Sequence, residues 1–203
     1  MDIVKYRKIE CLYKNCEQLI GSGRFGKGLW PVDPGIGQFM YWLIRLNNLK
    51  YGLEVGAGVG ISTAWLNEAF IVNRGKLISF EYFLPKVEQW ERHMSALFGN
   101  EYESGVEMVP SEFGRWVKYA GKRRFDFVFF DQRKEHYLRH LKLILPKLKC
   151  GAYICADNVI SHGDGCSEYL DFVRNDERFV SVCLKIGDGL ELTRYGMKGK
   201  NRV

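Results

Sequence analysis

Two acidic residues, an amide and a lysine carry the strongest chemical signal in this chain. The apolar run Phe125-Asp126-Phe127-Val128-Phe129-Phe130 ends in Asp131, and a second run, Ala152-Tyr153-Ile154-Cys155-Ala156, ends in Asp157-Asn158. Read as neighbouring parallel strands, about 4.8 Å apart, they bring three oxygen ligands to one sheet edge, where the ligands can share an ion. An oxygen-only set suits magnesium or another hard divalent cation better than zinc. Lys134 lies three residues beyond the first carboxylate, where a loop turning into a helix can aim its amine at the same place as a base. The same residue types also cap helices, a plainer role that the carboxylates alone leave equally open.

A glycine turn supplies the other half of a site. Leu53-Glu54-Val55-Gly56-Ala57-Gly58-Val59-Gly60 leaves a strand and enters a helix, the position at which open α/β sheets bind nucleotide-like ligands. The dinucleotide fingerprint would need a third glycine at position 61, which is Ile61, so a nicotinamide cofactor is the weaker reading. Glu54 before the turn and Glu81 at the tip of the next strand are the acids expected for a cationic, ribose-bearing cofactor, since a strand-tip glutamate can accept both ribose hydroxyls. A second glycine motif, Gly21-Ser22-Gly23-Arg24-Phe25-Gly26-Lys27, imitates a phosphate loop but has Gly28 where a Ser or Thr is needed, and a helix precedes it. It reads better as a mobile basic lid over the site.

The elements that position these groups alternate. Ile9, Leu12, Tyr13, Cys16, Leu19 and Ile20 predict an amphipathic helix over residues 3–20, and Phe39, Leu43, Ile44 and Leu46 a second over 34–48. Strands are predicted at 51–55, 76–80, 106–109, 125–130 and 152–156, with helices near 62–70, 85–98 and 113–120 and a further one containing Tyr137, Leu138, Leu141, Ile144, Leu145 and Leu148. The near-continuous apolarity at 125 and 152 is that of strands buried on both faces of a parallel sheet. Residues 180–186 and 190–195 flank Gly187-Asp188-Gly189 and predict a β-hairpin. The fold class is α/β: one doubly wound, Rossmann-like domain spanning 1–203, with a mostly parallel sheet, a C-terminal antiparallel hairpin, and an N-terminal helix and lid over 1–30.

Composition narrows the remaining choices. A chain of 203 residues suits one well-buried domain. Its apolar runs fall far short of the roughly 20 residues that span a bilayer. Charges at Asp2, Lys5, Arg7 and Lys8 stand where a signal peptide carries its apolar core, which points to the cytoplasm and away from membranes. Six cysteines form no Cys-x-x-Cys pair and no zinc-like group, so they read as reduced thiols. A net charge of +6 favours anionic partners, yet the basic residues look spread out, apart from Lys122-Arg123-Arg124 and the tail from Lys198 to Arg202. That spread favours a solvated surface over nucleic-acid binding.

With these residues in view, the chain resembles the cation-dependent O-methyltransferases, the group of the catechol and caffeoyl-CoA enzymes. The likeness runs from about residue 30 to 195 through Pro31 to Gln38, Leu53 to Gly56, Phe125 to Asp131, Lys134, Tyr137, Gly151 to Val159 and Asp188 to Glu191. It implies S-adenosylmethionine at Glu54, Gly56, Gly58, Ser62 and Glu81, with Asp131 at its edge and Ser111-Glu112 near its adenine. It also implies Mg2+ or a similar ion on Asp131, Asp157 and Asn158, and Lys134 as general base.

The implied reaction methylates a hydroxyl of a small vicinal-dihydroxy aromatic. A metal-held diol loses a proton to the lysine, and the oxyanion attacks the sulfonium methyl in line. Two other outcomes stay open: methylation of a hydroxylated wobble uridine in tRNA, and a non-catalytic S-adenosylmethionine-binding protein. The chain departs from the catechol pattern at Arg133, beside the expected base, and in having no acid between Phe179 and Ile186, so catechol itself is in doubt as the acceptor. A homodimer through the N-terminal helix is compatible with the sequence.

Overall fold

The strands run in the order β3-β2-β1-β4-β5-β7-β6 in one seven-stranded sheet. They are β1 (Tyr51–Val55), β2 (Lys76–Phe80), β3 (Val106–Val109), β4 (Phe125–Phe130), β5 (Leu148–Ala156), β6 (Phe179–Leu184) and β7 (Leu190–Tyr195). The first five pair in parallel, whereas β7 inserts antiparallel between β5 and β6. This computed structural model describes residues 3–19, 25, 29–99 and 102–196. The glycine-rich segment at 21–28, read as a lid, and the basic tail at 198–202 lie outside the described residues, Phe25 excepted.

Helices α1 (Ile3–Leu19), α2 (Pro34–Leu46), α3 (Ile61–Val72) and α4 (Leu84–Phe98) cover one face. On the other lie α6 (Phe113–Trp116), α7 (Tyr137–Ile144) and α8 (Ser167–Asn175), while the single turn α5 (Tyr102–Gly105) leads into β3. Two apolar cores result. One gathers Met40, Ile44, Trp65, Phe70, Trp90 and Phe127, the other Phe80, Val128, Phe130, Tyr137, Leu141 and Tyr169. Strand β4 contributes to both because its side chains alternate between faces that are each covered, which is why its sequence is apolar at every position but one.

Its one polar member, Asp126, has a structural task. Its carboxylate accepts N–H groups from Lys50 and Tyr51 and pairs with Lys149 at 2.7 Å, anchoring the N-terminal ends of β1, β4 and β5.

Several elements differ from the periodicity, among them the helix read through Leu148, which ends at Ile144, and the unforeseen turn α5. The helix expected from 113 to 120 is a single α-turn followed by a 3₁₀ turn over Val117–Tyr119. Strand β5 begins at Leu148, four residues before its apolar run. Helix α8 has no counterpart in the pattern reading, since the polar stretch from Ser161 to Glu168 runs into it and only Tyr169, Leu170 and Val173 are buried.

Candidate active site

Register places the chemical groups in line. Val55 pairs with Phe130, and Phe130 with Ala156, so Gly56, Asp131 and Asp157 follow the last residues of three adjacent strands. Backbone bonds continue the ladder past the strand ends: Asp131 N–H donates to Val55 C=O at 2.9 Å and Asp157 N–H to Phe130 C=O at 3.0 Å. Sheet order reverses direction between β1 and β4, and a crevice opens there at the C-terminal edge, as doubly wound sheets require.

The glycine turn forms one wall. Gly56 N–H and Ala57 N–H both donate to Phe80 C=O, drawing the turn against the tip of β2. Gly56 has φ +101°, and a Cβ there would stand 2.4 Å from the carbonyl oxygen of Asp131, so turn and carboxylate segment touch only because this residue lacks a side chain. Glu81 binds the turn from the next strand. Its Oε2 accepts Gly58 N–H at 3.1 Å, and its Oε1 accepts Tyr82 and Phe83 N–H at 2.9 Å each. Three of its roughly four lone-pair directions are thus taken by backbone, leaving one for a ligand hydroxyl.

Glu54 stands back from the crevice, fully buried beneath the turn. One oxygen accepts the hydroxyls of Thr63 and Ser79 at 2.6 Å each, and Thr63 in turn accepts Trp90 Nε1–H at 2.9 Å. Among the described residues the other oxygen has no hydrogen bond of ordinary geometry. Burial raises the Glu54 pKa, against the hydroxyls of Ser62, Ser79 and Thr63 that favour the charged form. Through these bonds it braces the turn from beneath. Ser62, in the first turn of α3, lines the crevice, as do Ser111 and Glu112 after β3.

Opposite lie the carboxylates. Lys134 Nζ stands 3.1 Å from Asp131 Oδ1 and 2.6 Å from Asn158 Oδ1, and these two side chains of the expected ligand set share one cation. Asp157 is buried, accepts Asn158 N–H on Oδ1 at 2.8 Å, and meets Asp131 electrostatically. Burial first, and then the neighbouring Asp131 charge, push the Asp157 carboxyl up to about 7; burial raises Asp131 too, opposed mainly by Lys134. The oxygens of Asp131, Asp157 and Asn158 fit a hard divalent cation, whose charge would favour the ionised form of both acids. Among the described residues no group of three His, Cys, Asp or Glu side chains could hold a metal, so any such site depends on the Asn158 amide.

Further residues complete the site, of which Gln132, His140, Ile160 and Ser161 carry no motif. Tyr137 Oη lies 3.0 Å from the carbonyl oxygens of both Phe130 and Asp157, bridging the ends of β4 and β5. Gln132 Nε2 lies 3.0 Å from His140 Nδ1, while Gln132 Oε1 is buried with no partner among the described residues. Ile160 and Ser161 N–H donate to Asp188 C=O, which fastens the β6–β7 connection to the loop after Asn158. Arg133 lines the crevice with its side chain largely in solvent, 3.6 Å from Glu135. The whole crevice encloses about 1420 Å³, room for two ligands side by side.

A parallel five-strand half with an appended antiparallel pair, a glycine turn after β1 and an acid at the tip of β2 define the class I methyltransferase architecture. The structure of the Bacillus cereus O-methyltransferase in complex with SAH superposes with a TM-score of 0.77 at 18% identity, covering 93% of this chain and 90% of that one. SAH-bound Podospora anserina methyltransferase gives 0.77 at 17%, over 93% and 87%.

A family described as methyltransferase domain matches residues 53–159, more than half the chain. Catechol O-methyltransferase B of Danio rerio is 33% identical over 148 residues, 70% of this chain and 53% of that protein. Caffeoyl-CoA O-methyltransferase 2 of Petunia hybrida is 28% identical over 184 residues, 78% and 73% respectively. The chain thus spans about half the length of the first of these relatives and about three quarters of the second. It belongs to the class I S-adenosylmethionine-dependent O-methyltransferase family.

Proposed function

We propose that this protein transfers the methyl group of S-adenosylmethionine to one hydroxyl of a small vicinal-dihydroxy aromatic, with a divalent cation on Asp131, Asp157 and Asn158. One observation carries the reading: Lys134 Nζ reaches both Asp131 and Asn158 at the edge of the crevice whose other wall is the glycine turn with Glu81. A methyl acceptor between the walls would face the amine on one side and the donor on the other.

Glu81, through its remaining lone pair, and the Gly56 to Gly58 backbone hold the donor's ribose and methionine portions. Ser111, Glu112 and Gln132 line the same crevice and would flank the donor's adenine. When bound, Mg2+ or a similar ion would hold both acceptor oxygens and lower the pKa of the reacting hydroxyl. Lys134 first gives up a proton to solvent through the crevice mouth, and its neutral amine then takes the hydroxyl's proton, which regenerates the ammonium that Asp131 and Asn158 hold. Formation of the O–CH₃ bond as the C–S bond breaks neutralises charge, so the chain's contribution is mainly alignment and removal of water.

The test supplies S-adenosylmethionine labelled in its methyl group and a panel of catechols, some carrying a carboxylate that Arg133 could meet. The labelled methyl is expected on a single oxygen of at least one catechol, as a methyl ether, and a Lys134→Met variant should transfer it at least about 100-fold more slowly. A protein that binds the donor yet labels no vicinal diol would refute this function.

A further inference from the structure

The basic residues that look scattered in the sequence are gathered by the fold. Between residues 113 and 149 the chain has eleven Lys and Arg against three Asp and Glu, a net charge of +8, while the rest of the molecule sums to −2. Of the three acids, Asp126 is tied beneath the sheet by Lys149 and backbone N–H groups, Asp131 lies in the crevice, and only Glu135 faces outward.

The basic side chains stand in two strips. The segment from α6 to the start of β4 carries Arg115, Lys118, Lys122, Arg123 and Arg124, and α7 with the turn after it carries Arg139, Lys142 and Lys147. All but Lys147 are exposed. The strips adjoin, since Phe113 and His140 rings pack edge to face at 5.1 Å, Arg124 Nη1–H donates to Pro146 C=O at 2.9 Å, and Lys147 Nζ donates to Gly121 C=O at 2.7 Å. Both run antiparallel to β4, from the crevice mouth, where Arg115, Lys118 and Arg139 form part of the wall, to the opposite edge of the sheet. Six strand residues at about 3.3 Å each make that track about 20 Å long. Acids resume on both sides, at Glu103 before β3, Glu107 within it, and Glu168 and Asp171 on α8, while at the crevice end Glu112 lies 3.9 Å from Arg115.

We infer that this track binds the phosphate backbone of a single-stranded nucleic acid, laying the strand across the mouth of the crevice. One phosphate or pyrophosphate cannot engage a row of cations about 20 Å long, whereas several consecutive nucleotides can. Three aromatic side chains at the mouth favour an unpaired strand: Trp30, Tyr82 and Phe83 line the crevice and are 79%, 63% and 37% exposed, faces on which bases can stack. The inference stands apart from methyl transfer, because the contacts are to backbone and ring faces outside the proposed chemistry. RNA and DNA share the phosphate chemistry, so both are tested.

The experiment measures fluorescence anisotropy of labelled 20-residue oligouridine and oligothymidine with the full chain at several salt concentrations. Affinity should fall with salt at a log–log slope of about −0.7 per phosphate engaged, and hence about −3 for four. A Lys122→Glu, Arg123→Glu, Lys142→Glu variant should bind about tenfold or more weakly with a shallower slope. A Lys14→Glu, Arg74→Glu, Arg92→Glu control, which makes the same charge change on other faces, should stay within about threefold. Melting curves of both variants, and the milder Gln substitutions at the track positions, separate lost binding from lost folding. Tighter binding of oligouridine would assign the track to RNA, and of oligothymidine to DNA. Equal losses in track and control variants, salt-insensitive binding, or equal competition by inorganic pyrophosphate would each overturn the inference.

Discussion

Lys134 Nζ lies 2.6 Å from Asn158 Oδ1, so the amine that follows β4 is fastened to the amide that follows β5. With Asp131 Oδ1 at 3.1 Å, the lysine occupies the place where oxygen ligands converge and stands in for positive charge there. Replacing it separates two roles. Lys134→Met should lower kcat by about 10² to 10⁴, the range for a lost general base, without weakening the Mg2+ dependence of the remaining activity. A loss confined to metal affinity would instead make the lysine a structural partner of the ligands.

Gly56 marks the contact between donor and acceptor walls. Gly56→Ala must place a Cβ against the Asp131 carbonyl at a φ of +101°, and the strain should cost about 1–3 kcal/mol of stability. S-adenosylhomocysteine affinity by calorimetry should fall with it. A variant of unchanged melting temperature and unchanged affinity would show that the turn and the carboxylate segment are free to part.

Tyr137 closes the same edge from beneath. Its hydroxyl is buried and lies at 3.0 Å from two strand-end carbonyls, so Tyr137→Phe leaves those carbonyls without its donor and should cost about 1–3 kcal/mol in urea denaturation. Wild-type stability in that variant would mean that water replaces the hydroxyl.

His140 gives a pH signature away from the carboxylates. Burial, and then the positive charges of His136 and Arg139, push its imidazole down to about 4, against about 6.5 in an unfolded chain. Within that window the unfolded state binds a proton that the native state does not, so stability is complete above about pH 6.5 and declines as pH falls toward 4. Denaturant midpoints measured from pH 7.5 to 4 should show this decline, and His140→Gln should flatten part of it. Identical profiles for the two proteins would remove His140 from the account.

Much of this arrangement was legible because strand-tip chemistry follows from strand pattern. The runs ending at Asp131 and Asp157 are apolar on both faces, which fixes them as central parallel strands and brings their ends together. Glu54 was noticed as an acid before a glycine turn, and the fold adds what the motif does not show, that it lies buried under the turn with Thr63 and Ser79 bonded to one oxygen. Helix α8 was hidden because Gly, Ser and Asp before it mimic a continuing loop, and its buried face rests on three residues. The cationic track was hidden by sequence distance, since Arg115 and Arg139 are 24 residues apart in the chain yet wall the same crevice. The partner amide of Gln132 and His140 has no motif, and only packing reveals it.

The central claim is that Asp131, Asp157 and Asn158 make methyl transfer depend on a divalent cation. Its most direct test is the rate of methyl-ether formation on the best catechol of the panel, measured by mass spectrometry after dialysis against EDTA and again after adding Mg2+. The account predicts a loss of at least about 100-fold on chelation, recovery with Mg2+, and an Asp157→Asn variant that needs more metal to recover. An undiminished rate in EDTA would contradict it.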